Sequence, residues 1–258
     1  MPSVKVLGVR VHDLSTDDLC ARIAFLVRSG RQAVVANANV NAMNIACKME
    51  WFREFLNQSD TVFCDGYGVI FGARLLGRKL WHRNTYAELM WFLAEMAQEN
   101  DFSLFFLGAA PGVAEQAADR LLIHYPRLRI AGVFHGFFDK TAGGKDNENV
   151  IERINAHRPD ILIVGFGMPM QEKWLFENLS RLAVKVAMPG GATFDYMSGR
   201  IRRAPRWMTD YGLEWLGRLL IEPRRLWRRY LLGNPLFILR IIREKLGFLH
   251  GQDPSCPD

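Results

Sequence analysis

Six stretches of the sequence gather residues able to do chemistry. Cys64-Asp65-Gly66-Tyr67-Gly68 sets a carboxylate beside two glycines that permit a tight turn. At a strand end such an aspartate serves as general base toward a hydroxyl within hydrogen-bond reach, or else caps the next helix. Asn37-Ala38-Asn39-Val40-Asn41 carries three amides. Asn39 and Asn41 suit helix caps, whereas Asn37 calls for a polar cleft, because a buried amide needs partners. Arg83, in Trp81-His82-Arg83-Asn84-Thr85, presents a fork that matches a phosphate, or lies on the surface.

Three glycine-rich loops add places for anions and hydroxyls. Gly108-Ala109-Ala110-Pro111-Gly112 opens a helix, and N–H groups at such a start bind a diphosphate; the same residues also make a plain strand–helix turn. In Gly165-Phe166-Gly167-Met168-Pro169-Met170-Gln171-Glu172-Lys173-Trp174, Gln171 offers a donor and an acceptor for sugar hydroxyls. Glu172 favours a helix N-terminus through the macrodipole. Pro189-Gly190-Gly191-Ala192-Thr193-Phe194-Asp195 ends in a carboxylate for ribose hydroxyls or for a helix cap.

Missing motifs narrow the chemistry. No Asp-x-Asp pair occurs, so the usual carboxylates that hold a metal on a nucleotide-sugar diphosphate are lacking. The six histidines show no ligand spacing such as HxxxH. GxSxG is absent, as is GxGxxG after the first strand. Cys20, Cys47, Cys64 and Cys256 form no CxxC pair, which argues against a disulfide framework or zinc ribbon and for a reducing cytoplasm. The N-terminal MPSVKVLGVRVHDLSTDD has charges within its apolar stretch and does not read as a signal peptide. Nowhere do 18 apolar residues run uninterrupted, so no helix is expected to span a membrane.

These loops need elements to hold them. Strand-like runs are Val4–Val11, Ala33–Ala36, Thr61–Cys64, Ser103–Leu107, Arg129–Phe134, Asp160–Gly165 and Val184–Met188. Helix-length amphipathic segments alternate with them: Asp17–Val27, Val40–Leu56, Thr85–Gln98, Val113–His124 and Gln171–Leu179. The polar stretch Thr141–Asn149 reads as a loop. This alternation predicts an α/β fold with a mostly parallel, Rossmann-like sheet and helices on both faces. Ligands in such a fold bind outside the carboxyl ends of the strands, where the loops above fall. The 258 residues, 49% hydrophobic and 23% charged, match a soluble globular chain of one large domain or two small ones.

After Tyr196 the strand signal stops and the charge changes. Gly199 to Lys245 holds 12 basic and 4 acidic residues, leaving 21 basic and 23 acidic for the rest, within a net charge of +6. The division expected is an α/β catalytic domain over 1–196 and a basic helical appendage over 197–258. Pro205, Pro223 and Pro235 each suit the first turn of a helix. On a helical wheel Arg224, Arg225, Arg228 and Arg229 oppose Leu226, Trp227, Tyr230 and Leu231. That is the pattern of a helix in a membrane interface, or of one packing its apolar side on the body.

Taken in order, these loops resemble the WecG/TagA/CpsF family of bacterial glycosyltransferases (glycosyltransferase family 26). The likeness runs from Val4 to about Arg243 and includes Cys64–Val69, Arg83, Leu107-Gly108-Ala109, the Gly165–Trp174 loop, and Pro189–Asp195 leading to Ala204-Pro205. It implies inverting transfer of a sugar from a UDP-sugar to a polyprenyl-diphosphate-linked saccharide, with no metal and no cofactor. It further implies work on the cytoplasmic face of the bacterial plasma membrane during cell-surface polysaccharide synthesis. Asp65 falls on the catalytic base, and Asn37, Asn39, Arg83 and Gln171 on the substrate pocket. Gly108, Ala109, Gly112, Gly165, Gly167, Gly191 and Asp195 are then expected at UDP. Arg206, Arg218, Arg224, Arg225, Arg228 and Arg229 are expected at the anionic membrane and the acceptor diphosphate. Two departures stand out: Asn37 where many relatives have Thr, and Tyr86 where Gly is common. They leave N-acetylmannosamine, glucose, glucuronic acid and N-acetylmannosaminuronic acid open as the donor sugar, and a homo-oligomer is open too.

Two rival readings remain. A nucleic-acid-binding protein would use the basic tail with its interleaved aromatics, but would leave Asp65 and the glycine loops idle. A nicotinamide-dependent oxidoreductase would need the dinucleotide fingerprint that the chain lacks.

Overall fold

The computed structural model describes residues 1–202 and 205–247. Ala204, His250 and Cys256 lie outside the described residues, as does the side chain of Arg206. In chain order the strands are β1 (Ser3–Val6), β2 (Val9–His12), β3 (Ala33–Ala38), β4 (Thr61–Cys64), β5 (Ser103–Gly108), β6 (Arg129–Phe134), β7 (Ile161–Gly165) and β8 (Val186–Pro189). The helices are α1 (Thr16–Arg28), α2 (Val40–Ala46), α3 (Glu50–Gln58), α4 (Tyr67–Leu75), α5 (Tyr86–Glu99), α6 (Val113–His124), α7 (Lys145–His157), α8 (Met170–Asn178) and α9 (Thr193–Met197). The C-terminal segment adds α10 (Arg206–Asp210), α11 (Glu214–Ile221), α12 (Pro223–Trp227) and α13 (Gly233–Lys245). The fold is mixed α/β with mostly parallel strands, as the alternation predicts.

The chain divides into two units. One comprises Met1–Ser15, Asn37–Thr85 and the chain from Arg202 onward; the other comprises Thr16–Ala36 and Tyr86–Ile201. The basic C-terminal segment thus groups with residues 37–85.

In the first unit the expected strand Val4–Val11 is a hairpin. Leu7 and Gly8 take positive φ of 48° and 77°, which folds β2 back antiparallel on β1 from Ser3↔His12 to Val6↔Val9. β2 meets β4 in parallel at His12↔Phe63. The expected helix Val40–Leu56 breaks at Cys47–Met49, and Met49 is extended. Two short helices bury Ala42, Met43 and Ala46 on one side of the break and Phe52, Phe55 and Leu56 on the other. A single helix would force these two apolar faces into one register.

The C-terminal helices are built into this unit. Phe237 and Ile241 of α13 are fully buried. Asn44 of α2 donates to the Gly233 carbonyl at 2.7 Å and accepts from buried Arg240 at 2.8 Å. Near the other end of α13, Glu244 accepts from the Leu7 N–H at 2.8 Å and pairs with Arg78 at 2.5 Å. A Cβ on Gly72 of α4 would lie 2.6 Å from Phe237, so only glycine allows this approach.

The second unit has the parallel order β3-β8-β7-β5-β6. Strands β5, β7 and β8 are buried along their whole length, which explains their unbroken apolar sequences. Lys145 begins α7 inside the stretch expected to be a loop. Buried Asn147 accepts from Trp174 Nε1 at 2.7 Å and donates to Asn178 at 3.1 Å. That network makes the latter part of the polar stretch, 145–149, part of a packed helix, while 141–144 stay a loop.

Candidate active site

Asp65 follows the last residue of β4, and its N–H donates to the Ala38 carbonyl at 2.8 Å. Gly66 then turns the chain into α4 at φ 121°, ψ 145°, a conformation essentially reserved for glycine. The carboxylate is partly buried and asymmetrically held. Asn37 Nδ2 and Asn39 Nδ2 both donate to Oδ2, at 2.9 and 3.3 Å. No hydrogen bond to Oδ1 is found among the described residues. Burial raises the Asp65 pKa above the ordinary aspartate value, while hydrogen bonds from both asparagines and the fields of Arg218 and Arg229 oppose the rise.

The two asparagines are positioning groups. Asn39 Oδ1 also caps α2 by accepting from the Ala42 N–H at 3.0 Å. Asn37 is 4% exposed, and its Oδ1 is buried with no hydrogen-bond partner among the described residues. Both were expected in the substrate pocket; their amide nitrogens are turned on Asp65.

A cavity of about 660 Å³ opens beside Asp65, within the first unit. Beside Asp65 itself, Arg74, Arg83, Glu214, Arg218 and Arg229 form its charged lining. Arg83 Nη1 donates to Glu214 Oε2 at 3.0 Å, and its guanidinium lies 4.7 Å from the centre of the Tyr67 ring. Burial lowers the Arg229 pKa from its usual height, and its Nε finds no hydrogen-bond partner among the described residues. A carboxylate with one open oxygen and a raised pKa is equipped to take a proton from a hydroxyl. Guanidinium groups beside it suit the oxygens of a diphosphate.

The arginines expected at membrane and diphosphate separate into two groups. Arg218 and Arg229 line the cavity, whereas Arg224, Arg225 and Arg228 are exposed. Arg225 pairs with Glu222 at 2.5 Å, and Arg228 lies over the Trp227 ring at 5.2 Å. The apolar arc divides too: Leu226 and Tyr230 pack with Leu219 and Trp215, while Trp227 and Leu231 face outward. Arg206 opens α10.

The glycine loops and Gln171 belong to the second unit, at the carboxyl ends of β5, β7 and β8. Gln171 is fully buried. Its Oε1 accepts from the N–H groups of Gly167 (3.1 Å) and Gly191 (2.9 Å), and its Nε2 donates to Glu172 Oε1 at 2.8 Å. The amide expected to face sugar hydroxyls therefore clasps two loops together. Ala109, at φ 57°, donates its N–H to the Gly165 carbonyl at 3.0 Å. A Cβ on Gly108 would come within 2.4 Å of Gly165 O, and one on Gly165 within 2.9 Å of Gly191 O. The N–H groups of Ala109, Gly167 and Gly191 are thus engaged in loop-to-loop bonds rather than pointed at a diphosphate. Gly112, at φ 82°, starts α6, and Asp195 is the third residue of α9. Burial pushes the Glu172 carboxyl up to about 7, and its Oε2 has no hydrogen-bond partner among the described residues.

Sequence reasoning missed Glu214, Tyr67 and Trp215. A signal for Glu214 existed: four residues before Arg218 on one helix, it had to share that face. Among the described residues no three His, Cys, Asp or Glu side chains gather as metal ligands, and no helix is long and apolar enough to cross a membrane.

Over residues 4–250 the chain matches the family described as Glycosyl transferase WecG/TagA/CpsF. Similar curated proteins include the N-acetylglucosaminyldiphosphoundecaprenol N-acetyl-beta-D-mannosaminyltransferases of Staphylococcus aureus strains MRSA252, NCTC 8325 / PS 47 and COL. Each is 30% identical over 244 residues, spanning 94% of this chain and 93% of its own. With a match over almost its full length, the chain belongs to the WecG/TagA/CpsF family of glycosyltransferases.

Proposed function

We propose that this glycosyltransferase moves N-acetylmannosamine from its UDP derivative to a polyprenyl-diphosphate-linked N-acetylglucosamine, inverting the anomeric centre. The transferred sugar and the acceptor follow the names of the Staphylococcus aureus relatives. The observation that carries the reading is Asp65, with Oδ2 fixed by Asn37 and Asn39 and Oδ1 left open beside the cavity of Arg218 and Arg229. Asp65 takes the proton of the acceptor hydroxyl as that oxygen attacks the anomeric carbon. The C1–O bond to UDP breaks, and its electron pair leaves with the nucleotide.

Arg218 and Arg229 hold the acceptor diphosphate, and Arg83, itself held by Tyr67 and Glu214, meets the substrate. For UDP the strand-end loops of the second unit, around Gly108, Gly112, Gly165, Gly167, Gly191 and Asp195, stay the assigned place, and the start of α6 there supplies N–H groups suited to phosphates. Gln171 supports this site by fixing the loops. At the departing nucleotide, helix N–H groups and Arg83 take the role a metal would otherwise fill. Arg224, Arg225 and Arg228, together with outward aromatics, dock the enzyme on the anionic inner leaflet. Nucleic acid has no part in this scheme.

The test is mass-spectrometric. Purified protein in EDTA is given UDP-N-acetylmannosamine, UDP-glucose or UDP-glucuronic acid, with a short-chain polyprenyl-diphosphate-N-acetylglucosamine. A disaccharide product from the first donor is expected. Product from another donor overturns the sugar assignment, and activity only after added Mg²⁺ overturns metal independence.

A further inference from the structure

The proposed chemistry uses the charged end of the cavity and leaves its apolar end idle. Helix α4 lines the cavity with Tyr67, Ile70, Phe71 and Arg74. These are positions i, i+3, i+4 and i+7, one face over two turns and about 10 Å of length. At the start of this face Tyr67 supports Arg83, next to Asp65. One turn on, α13 lines the cavity with Asn234 and, beyond it, the apolar pair Phe237 and Ile238. Phe71 is 53% exposed and Tyr211 79% exposed, although both line the cavity. A diphosphate gains nothing from such a wall, whereas a hydrocarbon does.

Resting on the reading above, we propose that this groove between α4 and α13 is a lipid subsite. Phe71, Ile238 and Tyr211 seat the first isoprene units of the acceptor while its diphosphate lies at Arg218 and Arg229. The occupant is argued from continuity: the same cavity carries cations for a diphosphate and, beside them, an apolar groove for what is esterified to it. Relatives whose acceptor is a diphosphoundecaprenol carry the same pairing of chemistries in one substrate. The subsite holds only the head of the chain, so selectivity should saturate after about two isoprene units, the reach of two helical turns.

Two measurements without membranes or detergent test this. Calorimetric titration compares geranyl diphosphate with inorganic diphosphate, for wild type, Phe71→Ser, Ile238→Ser and the conservative Phe71→Leu. Wild type is expected to bind geranyl diphosphate roughly 10-fold more tightly than inorganic diphosphate. The serine variants close that gap and leave diphosphate affinity unchanged, and Phe71→Leu restores most of it. Equal affinity for the two ligands in wild type overturns the subsite, as does equal weakening of both in the variants. The second measurement is transfer to geranyl- against methyl-diphosphate-N-acetylglucosamine. Phe71→Ser is expected to raise KM about 10-fold for the geranyl acceptor alone, with kcat unchanged; equal KM changes for the two acceptors overturn it. Transfer to neither acceptor by wild type, with the geranyl preference intact in calorimetry, overturns the proposed reaction and leaves the subsite standing.

Discussion

Arg83 and Glu214 lie 131 residues apart in sequence and meet at 3.0 Å over the ring of Tyr67. The pair ties the segment between α4 and α5 to the start of α11, and both side chains are largely shielded from water. The arginine expected to await a phosphate already has a carboxylate beside it. An incoming diphosphate therefore meets Arg83 partly neutralised, while Arg218 and Arg229 supply net positive charge.

A double-mutant cycle measures this tie. Arg83→Ala leaves a shielded carboxylate without its guanidinium and is expected to cost about 1–3 kcal/mol of stability. Glu214→Ala should cost somewhat less, because Arg83 keeps its stacking on Tyr67. Urea unfolding of both single variants and the double variant should yield a coupling of roughly 1–2 kcal/mol. A coupling near zero would mean that Glu214 does not hold Arg83.

Asp65→Asn keeps the shape and removes the base. The expected loss in kcat is roughly 10²–10⁴-fold, with UDP affinity retained. Because burial raises the Asp65 pKa, the acid limb of kcat/KM lies above the ordinary aspartate range, and activity falls as pH drops through it. The Asn37 and Asn39 bonds and the two arginines favour the charged form, so Asn37→Ala and Arg229→Gln each move that limb to higher pH. A limb that stays in place in both variants assigns it to another group.

Glu172 gives the folded protein a pH dependence of its own. Its pKa rises on folding from 4.5 to about 7 because burial disfavours the charged form. The folded state then binds the proton more tightly. This contribution is fully present below pH 4.5 and is lost as pH rises through about 7. The span corresponds to on the order of 3 kcal/mol. Glu172→Gln keeps an acceptor for Gln171 and removes the titration. Urea unfolding at pH 5 and pH 8 should show a steep decline for wild type and a flatter one for the variant; parallel slopes would contradict it.

The exposed arginines separate membrane docking from catalysis. Reversing Arg224, Arg225 and Arg228 to Glu should abolish co-sedimentation with anionic vesicles, since each contributes on the order of 1 kcal/mol near such a surface. None of the three lines the cavity, so turnover of a methyl-diphosphate acceptor in solution should persist. Vesicle binding unchanged by the triple variant would place the docking surface elsewhere.

How much of this could be read from the chain depends on how local each cause is. The apolar run Thr61–Cys64 ending in Asp-Gly marks a strand and the turn after it from neighbouring residues alone, and Asp65 stands at that turn beside the cavity. Long-range partners leave no such trace. Gln171 reads as a sugar-facing amide until the two N–H groups it clasps, one of them 20 residues away, are seen. Leu7-Gly8 hides a hairpin inside an apolar run because one left-handed pair decides it. The arc of arginines was legible as a pattern, but its division depended on which residues pack against Trp215 and Leu219.

The clasp of Asn44 on Gly233 and Arg240 has a practical consequence for anyone seeking a soluble form. Cutting away the C-terminal helices would strip a wall from the cavity beside Asp65 and bare the seats of Phe237 and Ile241. Repainting the outward arginines and tryptophans is the gentler route. In the proposed scheme adhesion and turnover share one ribbon of chain, yet different faces of it.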